Sequence, residues 1–112
     1  MAVTLKNSGA QTCTVGTEHT LATTTDAGVF ALEVTIPAAA TYADVFEFWT
    51  VTKIGAAGDT AYATNRIALR GRGAAINVRP LAPLESAASV SFMIRQTEGT
   101  SRSVQWAVKA VG

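Results

Sequence analysis

The sequence predicts an all-β fold: one antiparallel β-sandwich domain over residues 1–112, jelly-roll-like, with eight to nine short strands. Three observations lead to this prediction. Apolar residues recur at every second position along most of the chain, which is the period of a strand, and almost nowhere at the helical period. Turn-forming residues interrupt the alternation about every 8 to 12 residues, as in sandwiches and small barrels. A chain of 112 residues is also too short for two separate cores.

Two strands are predicted most clearly. Val29 to Ile36 follows a turn at Asp26-Ala27-Gly28 and ends at Pro37, because proline cannot donate to a ladder. Its core face is predicted to carry four apolar side chains, Phe30, Leu32, Val34 and Ile36. A second strand, Asp44 to Ile54, has apolar residues on both faces. We therefore expect one of its faces to meet the core and the other to meet a partner.

The rest of the chain is predicted as shorter strands and loops. A hairpin loop at Gly55–Asp59 leads into a strand at Thr60–Arg70, and Glu98-Gly99-Thr100 joins a last pair at Ala88–Thr97 and Ser101–Val111. Pro80 to Ser86, with two prolines, is predicted as a loop, and Ala38 to Ala43 as one helical turn at most. Weaker strands are expected at Val3–Lys6, Gln11–Val15, His19–Ala22 and Ala74–Arg79.

The composition favours contact with other protein. Charged residues make up 15% of the chain, well under the ~25% typical of soluble domains, so much of the surface must be small and weakly polar. The net charge of +1 gives no excess of cations for neutralising several phosphates, so we expect no nucleic-acid partner. Met1 to Lys6 lacks the features of a secretory signal, and no stretch approaches the ~18 apolar residues of a membrane span. We expect no membrane partner and assembly in the cytoplasm.

The sequence gives little support for a catalytic site or a metal site. Cys13 and the single histidine, His19, lie six residues apart on predicted neighbouring strands, but a small buried cysteine and a surface histidine are the simpler interpretation. Glu33 with Asp44 or Glu47 could form an acid–base pair, although scattered carboxylates also pair with cations by chance. Zinc would need further ligands at suitable spacing. We expect no enzyme, no cofactor and no metal site.

Candidate interface residues come from aromatic and basic side chains. Phe46, Phe48 and Trp49 are predicted to make buried contacts with a partner, because tryptophan is enriched at interface hot spots, while Trp106 is assigned to the core. Gly71-Arg72-Gly73 lacks the lysine and helix of a phosphate loop. The predicted rim of polar contacts consists of three arginines, Arg66, Arg70 and Arg72.

Four stretches lie towards the two ends of the chain: Met1–Gly9 (MAVTLKNSG), Val15–Ala22 (VGTEHTLA), Thr25–Gly28 and Gln96–Val108 (QTEGTSRSVQWAV). They carry a resemblance to short structural proteins encoded in tailed-phage genomes. It covers the middle of the chain poorly, and Gly71–Leu84 matches no part of it. The resemblance implies a virion structural protein of the capsid decoration, or cement, type, with no active-site residues.

The resulting expectation is a decoration protein on the capsid surface of the virion. Its partners would be the major capsid protein of the phage head and further copies of itself, a trimer being one possible form. Two alternatives remain open. One is a tail or head–tail connector protein that forms rings, and the other is a module that binds host-surface glycans. Loops of Gly, Ala, Ser and Thr, with the aromatic residues placed in strands, count against the glycan module.

Overall fold

The computed structural model describes residues 3–25, 27–53, 61–86 and 89–111, and within these ranges the chain forms strands and turns but no helix. None of these residues therefore belongs to a helix that could cross a membrane. The described residues form nine strands: β1 (Val3–Thr12), β2 (Glu18–Thr24), β3 (Gly28–Ile36), β4 (Val45–Lys53), β5 (Ala61–Arg70), β6 (Ile76–Val78), β7 (Leu84–Ser86), β8 (Val90–Glu98) and β9 (Ser103–Val111).

The strands form two antiparallel sheets with jelly-roll connectivity. The first sheet has the order β1-β9-β3-β6, with β7 also paired to β3, and the second has the order β2-β8-β4-β5. The pairs nest around the β4–β5 pair: β3 pairs with β6 and β7, β2 with β8, and β1 with β9. This nesting is the double-sheet arrangement of a jelly roll. The predicted fold class is confirmed.

The core lies between the two sheets and follows the alternation read from the sequence. The predicted core face of β3 is buried, and β4 and β8 supply the opposing side chains across the sandwich. A closely packed interior of this kind contributes most of the folding free energy of a small domain. Its largest buried side chains include Phe30, Leu32, Ile36, Phe46, Phe48, Phe92, Ile94, Val104 and Val108.

Several element predictions need correction. The two weak strands at the start are one continuous strand, because residues 7–10 also pair with β9. Leu84–Ser86, predicted as loop, pairs with β3 as β7 just beyond the last proline. Ala38–Ala43 forms turns and no helix. The hairpin loop Gly55–Asp59 and the first residue of the turn at Asp26 lie outside the described residues.

One end of the sandwich is held together by the buried carboxylate of Asp44, which is 1% exposed. It accepts hydrogen bonds from the backbone N–H of Thr41 (2.9 Å), the backbone N–H of Thr100 (2.8 Å) and Nε of Arg102 (3.0 Å). The hydrogen bond from Thr41 is the main cause that lowers the pKa of Asp44. The β3–β4 and β8–β9 connections are therefore tied together by one charged group.

The β5–β6 connection joins the same cluster through backbone contacts. The N–H of Gly71 donates to the carbonyl oxygen of Asp44 (3.1 Å), and the N–H of Gly73 donates to that of Ala40 (2.8 Å). A Cβ at position 71 would lie 2.5 Å from the carbonyl carbon of Ala40. Only glycine allows the two connections to approach this closely. The position of Arg72, between the two glycines, is fixed as a result.

Candidate interaction surfaces

The structure separates the predicted interface residues into core and surface. Phe46 and Phe48 lie between the sheets with no exposed area, opposite β5 residues Leu69 and Ile67. Their face of β4 is the core face, so neither side chain can contact a partner while the domain stays folded. This corrects the assignment of both phenylalanines to an interface. The strand does have a second, partly apolar face, as its alternation suggested.

Trp49 lies on that second, outer face of β4 but is only 2% exposed. The guanidinium of Arg66 sits over the indole, 4.3 Å from the ring centroid, and pairs with Glu47 on the same face. Glu47 also accepts a hydrogen bond from Arg95 (3.0 Å). Both Trp49 and Arg66 are therefore engaged within the chain. Trp106, assigned to the core, is partly buried and packs against the core cluster.

Arg70 and Arg72 lie elsewhere, beside an open cleft. The guanidinium of Arg70 stacks on the ring of Tyr42, 4.6 Å from its centroid, and its Nη1 donates to the Tyr42 carbonyl oxygen (3.1 Å). Tyr42 is 71% exposed and lies in the connection between β3 and β4. The expectation that aromatic residues are confined to strands is therefore wrong at this position.

The cleft opens where β5 and β6, the end strands of the two sheets, face each other. Its volume is about 350 Å³, within the range of roughly 300–1,000 Å³ found for ligand pockets. The floor is apolar and the rim is aromatic and cationic. The lining residues are Ile36, Tyr42, Val45, Ala68, Leu69, Arg70, Arg72, Ile76 and Val78. This cleft can bury an apolar group and hold an anion beside it.

A second surface is the long edge strand β1. It ends the first sheet, so one of its sides has no neighbouring strand among the residues that the structure describes. Every residue from Val3 to Ala10 is exposed, and Val3 and Leu5 are each 57% exposed. Leu5 pairs with Lys109 and shares the outer face of the sheet with it. Free strand edges present unpaired N–H and C=O groups that can bind another chain.

A β-bulge divides β1 into two parts. Leu5 is opposite Lys109 and Asn7 is opposite Val108, so Lys6 is the extra residue of the bulge. Bulges and lysines on edge strands oppose indiscriminate pairing between copies. The apolar part, Val3 to Leu5, is thereby set apart from the polar part, Asn7 to Thr12.

Cys13 and His19 do not form a nucleophile–base pair. The thiol of Cys13 is fully buried, and its hydrogen bond within the described part of the chain is a long one to the carbonyl oxygen of Gln11 (3.8 Å). Burial raises the pKa of this thiol to about 11. Nε2 of His19 has no hydrogen-bond partner among the described residues. The thiolate that a nucleophile requires is strongly disfavoured at neutral pH.

Cys13 is accordingly expected to resist thiol reagents in the folded protein. With a pKa of about 11, about one thiol in a thousand is ionised at pH 8, and the side chain is also inaccessible. Reaction with a chromogenic disulfide, followed by absorbance, should be slow until denaturant is added and then fast. Rapid reaction of the folded protein would contradict the buried position of Cys13.

The three carboxylates considered as acid–base partners are kept apart by the fold. Glu33 lies on the first sheet, where Lys109 (2.7 Å) and Arg79 (2.8 Å) bind it and lower its pKa, Lys109 being the larger cause. Glu47 lies on the second sheet, and Asp44 is buried in its own cluster. Over the described part of the chain, no three His, Cys, Asp or Glu side chains group as metal ligands do.

No protein-family model, curated protein or solved structure matches the chain. Sequence reasoning identified Arg70 and Arg72 but missed Tyr42, because the contact between Tyr42 and Arg70 depends on where the β3–β4 connection meets the end of β5. The exposed edge of β1 was not predicted, because the sequence gives Val3 and Leu5 the alternation of a strand but does not show whether that strand ends a sheet.

Proposed function

We propose that this protein is a non-enzymatic virion structural protein, a decoration protein that binds the outside of a phage head and stabilises its shell. The single observation that supports this most is β1, an edge strand whose apolar end, Val3 to Leu5, is exposed. Such a strand can pack on a neighbouring subunit and extend its sheet. The resemblance of both chain ends to tailed-phage proteins supports the same class of function.

The stabilising mechanism would be mass action. A protein that binds the assembled shell, and not its separated subunits, lowers the free energy of the shell by an amount that grows with the logarithm of its concentration. The rigid sandwich serves this role because its exposed edge needs no ordering on binding, which saves conformational entropy. The major capsid protein is the proposed partner.

The two alternatives differ in what the surfaces would have to do. A tail or connector ring requires a heterologous contact between copies, and the bulge at Lys6 opposes pairing of one β1 with another along its whole length. A glycan module would use the exposed Tyr42. However, no described residue lining that cleft carries a carboxylate or amide side chain to accept hydrogen bonds from sugar hydroxyls.

The test is binding to phage heads from which this protein has been stripped, measured by co-sedimentation with Leu5→Lys and Ser8→Lys variants. Ser8 is the matched control, because it is exposed on the same outer face of β1 and receives the same added charge. Burying a leucine side chain is worth about 1.5–3 kcal/mol, so Leu5→Lys should weaken binding at least about tenfold. Ser8→Lys should bind nearly as the parent protein does.

Two results would contradict the proposal. One is an absence of binding to stripped heads by a protein that is folded by circular dichroism. The other is equal binding of the Leu5→Lys and Ser8→Lys variants, which would remove β1 from the contact. The mass of the free protein, measured by light scattering, distinguishes the ring alternative from the decoration role, because a ring requires a large closed oligomer.

A further inference from the structure

We infer that the cleft between β5 and β6 binds an extended segment of a partner protein in which a carboxylate stands beside a large apolar side chain. The inference rests on the proposed function only in taking the shell protein as the source of that segment. It concerns a surface separate from β1: β5 and β6 end the two sheets on the side away from β1 and β2.

The apolar part of the cleft favours a side chain rather than a polar ligand. Ile76 and Val78 of β6 and Leu69 of β5 are only partly buried, although all three pack against the core cluster. The cleft between them holds about 350 Å³. A large apolar side chain inserted here would complete the burial of these residues and gain the free energy of apolar surface removed from water.

The charge on the rim favours a carboxylate. Four of the six arginines are already paired with carboxylates of the chain: Arg66, Arg79, Arg95 and Arg102. Arg70 and Arg72 are the other two, and no described carboxylate pairs with either. Both are exposed at the same cleft; Tyr42 holds the guanidinium of Arg70, and the hydrogen bonds of Gly71 and Gly73 fix the backbone at Arg72. Two guanidinium groups on one rim provide charge-assisted donors for an anion.

The backbone of β5 and β6 favours an extended peptide as the ligand of the cleft. Each of the two strands that border the cleft has one side without a partner strand in the described chain. An extended segment lying between them could form backbone hydrogen bonds to either strand while one side chain enters the cleft, as in other cases of strand addition. A nucleic-acid backbone would use the arginines but would leave the apolar floor empty, because its phosphates are separated by polar sugars.

The experiment is a titration of the full-length protein, followed by amide chemical shifts, with a short capped peptide that has one phenylalanine between two aspartates. The expected shifts centre on Leu69, Ile76 and Val78. The same peptide with asparagines in place of the aspartates should bind at least about tenfold more weakly, because each lost charge-assisted hydrogen bond costs roughly a decade in affinity. Equal binding of the two peptides, or shifts elsewhere, would overturn the inference.

Matched variants locate the charge effect. Arg72→Gln removes a side chain that has no carboxylate partner among the described residues. The variant should bind the aspartate peptide at least about fivefold more weakly, while the melting temperature of the protein stays the same. Arg66→Gln is the control, since Arg66 pairs with Glu47 on the outer face of the second sheet. Equal losses in both variants, or no loss in either, would contradict a specific rim at the cleft.

Two competitors distinguish other anions and ligands. Displacement of the peptide by a single-stranded oligonucleotide at equal concentration would assign the rim to nucleic acid, and displacement by an oligosaccharide would assign it to glycans. Either result overturns the inference. A binding assay with stripped phage heads distinguishes failure of this inference from failure of the proposed function. If the protein binds the peptide but does not bind the heads, only the decoration role is contradicted. Unimpaired head binding by Arg72→Gln would contradict the part of the inference that takes the shell protein as the source of the segment.

Discussion

Replacing Asp44 with alanine is expected to lower the free energy of unfolding by about 3–5 kcal/mol, the usual cost of removing one partner of a buried charged pair. The change leaves Arg102 and two backbone N–H donors, of Thr41 and Thr100, without their acceptor. Small domains have only about 5–15 kcal/mol of stability in total. The variant should therefore be close to unfolding at physiological temperature.

Denaturant titration followed by tryptophan fluorescence measures this loss. Glu18→Gln is the matched control, because Glu18 is exposed and lies 3.9 Å from Arg95; its removal should cost less than about 0.5 kcal/mol, as exposed pairs do. A loss below about 1 kcal/mol for Asp44→Ala would mean that the carboxylate does not hold the connections together.

The same carboxylate makes stability depend on pH. Its pKa in the folded protein lies below the ordinary value of 3.8, so the folded state binds fewer protons than the unfolded state as the pH falls. The stabilisation is complete above pH 3.8 and is lost as the pH falls through the folded-state pKa. The acid limb of a stability–pH curve should be shallower in Asp44→Ala, with Glu33, whose pKa is also lowered, supplying much of what remains.

Replacing Gly99 with alanine is expected to have the second-largest effect, about 2–5 kcal/mol, from two separate costs. Gly99 has φ +94°, a conformation that costs other residues about 1–2 kcal/mol. An added Cβ would also lie 2.0 Å from Oδ1 and 2.8 Å from Cα of Asp44. Relieving that overlap means moving the buried carboxylate or the backbone, and overpacking of this kind costs about 1–3 kcal/mol more.

The Gly16→Ala variant separates the two costs of replacing Gly99, the cost of the positive φ and the cost of the overlap with Asp44. Gly16 has a similar φ of +86°, but a Cβ there would meet nothing within 4 Å. Its replacement should cost only about 1–2 kcal/mol. The difference between the two variants in denaturant midpoint then reports the overlap with Asp44. Equal losses at the two glycines would show that the β8–β9 turn can shift without disturbing the carboxylate.

Much of the fold could be predicted because burial has a clear period. The alternation in β3 places Phe30 and Leu32 on the core side, and the structure confirms that placement. β7 was predicted as part of a loop because two prolines, Pro80 and Pro83, come just before it. Its three residues pair with Gly28–Phe30 of β3, a contact that the local sequence does not reveal. Ala38–Ala43 forms turns because Asp44 accepts the N–H of Thr41, a contact that no helical period reveals.

The surfaces were harder to predict than the core. Phe46 and Phe48 alternate with Trp49, and the sequence alone gives no direct way to tell which side of a doubly apolar strand faces inward. Arg66 and Arg70 look alike in the sequence, yet one is neutralised by Glu47 and the other stands beside Tyr42 at the cleft. These differences arise from strand order and from contacts between distant connections.

The most direct test of the proposed role is the melting temperature of stripped phage heads titrated with this protein. If the protein binds only the assembled shell, the temperature should rise and continue to rise with each tenfold increase in free protein, by a free energy of about 1.4 kcal/mol per site and decade. A melting temperature that does not change over a wide concentration range would contradict the account.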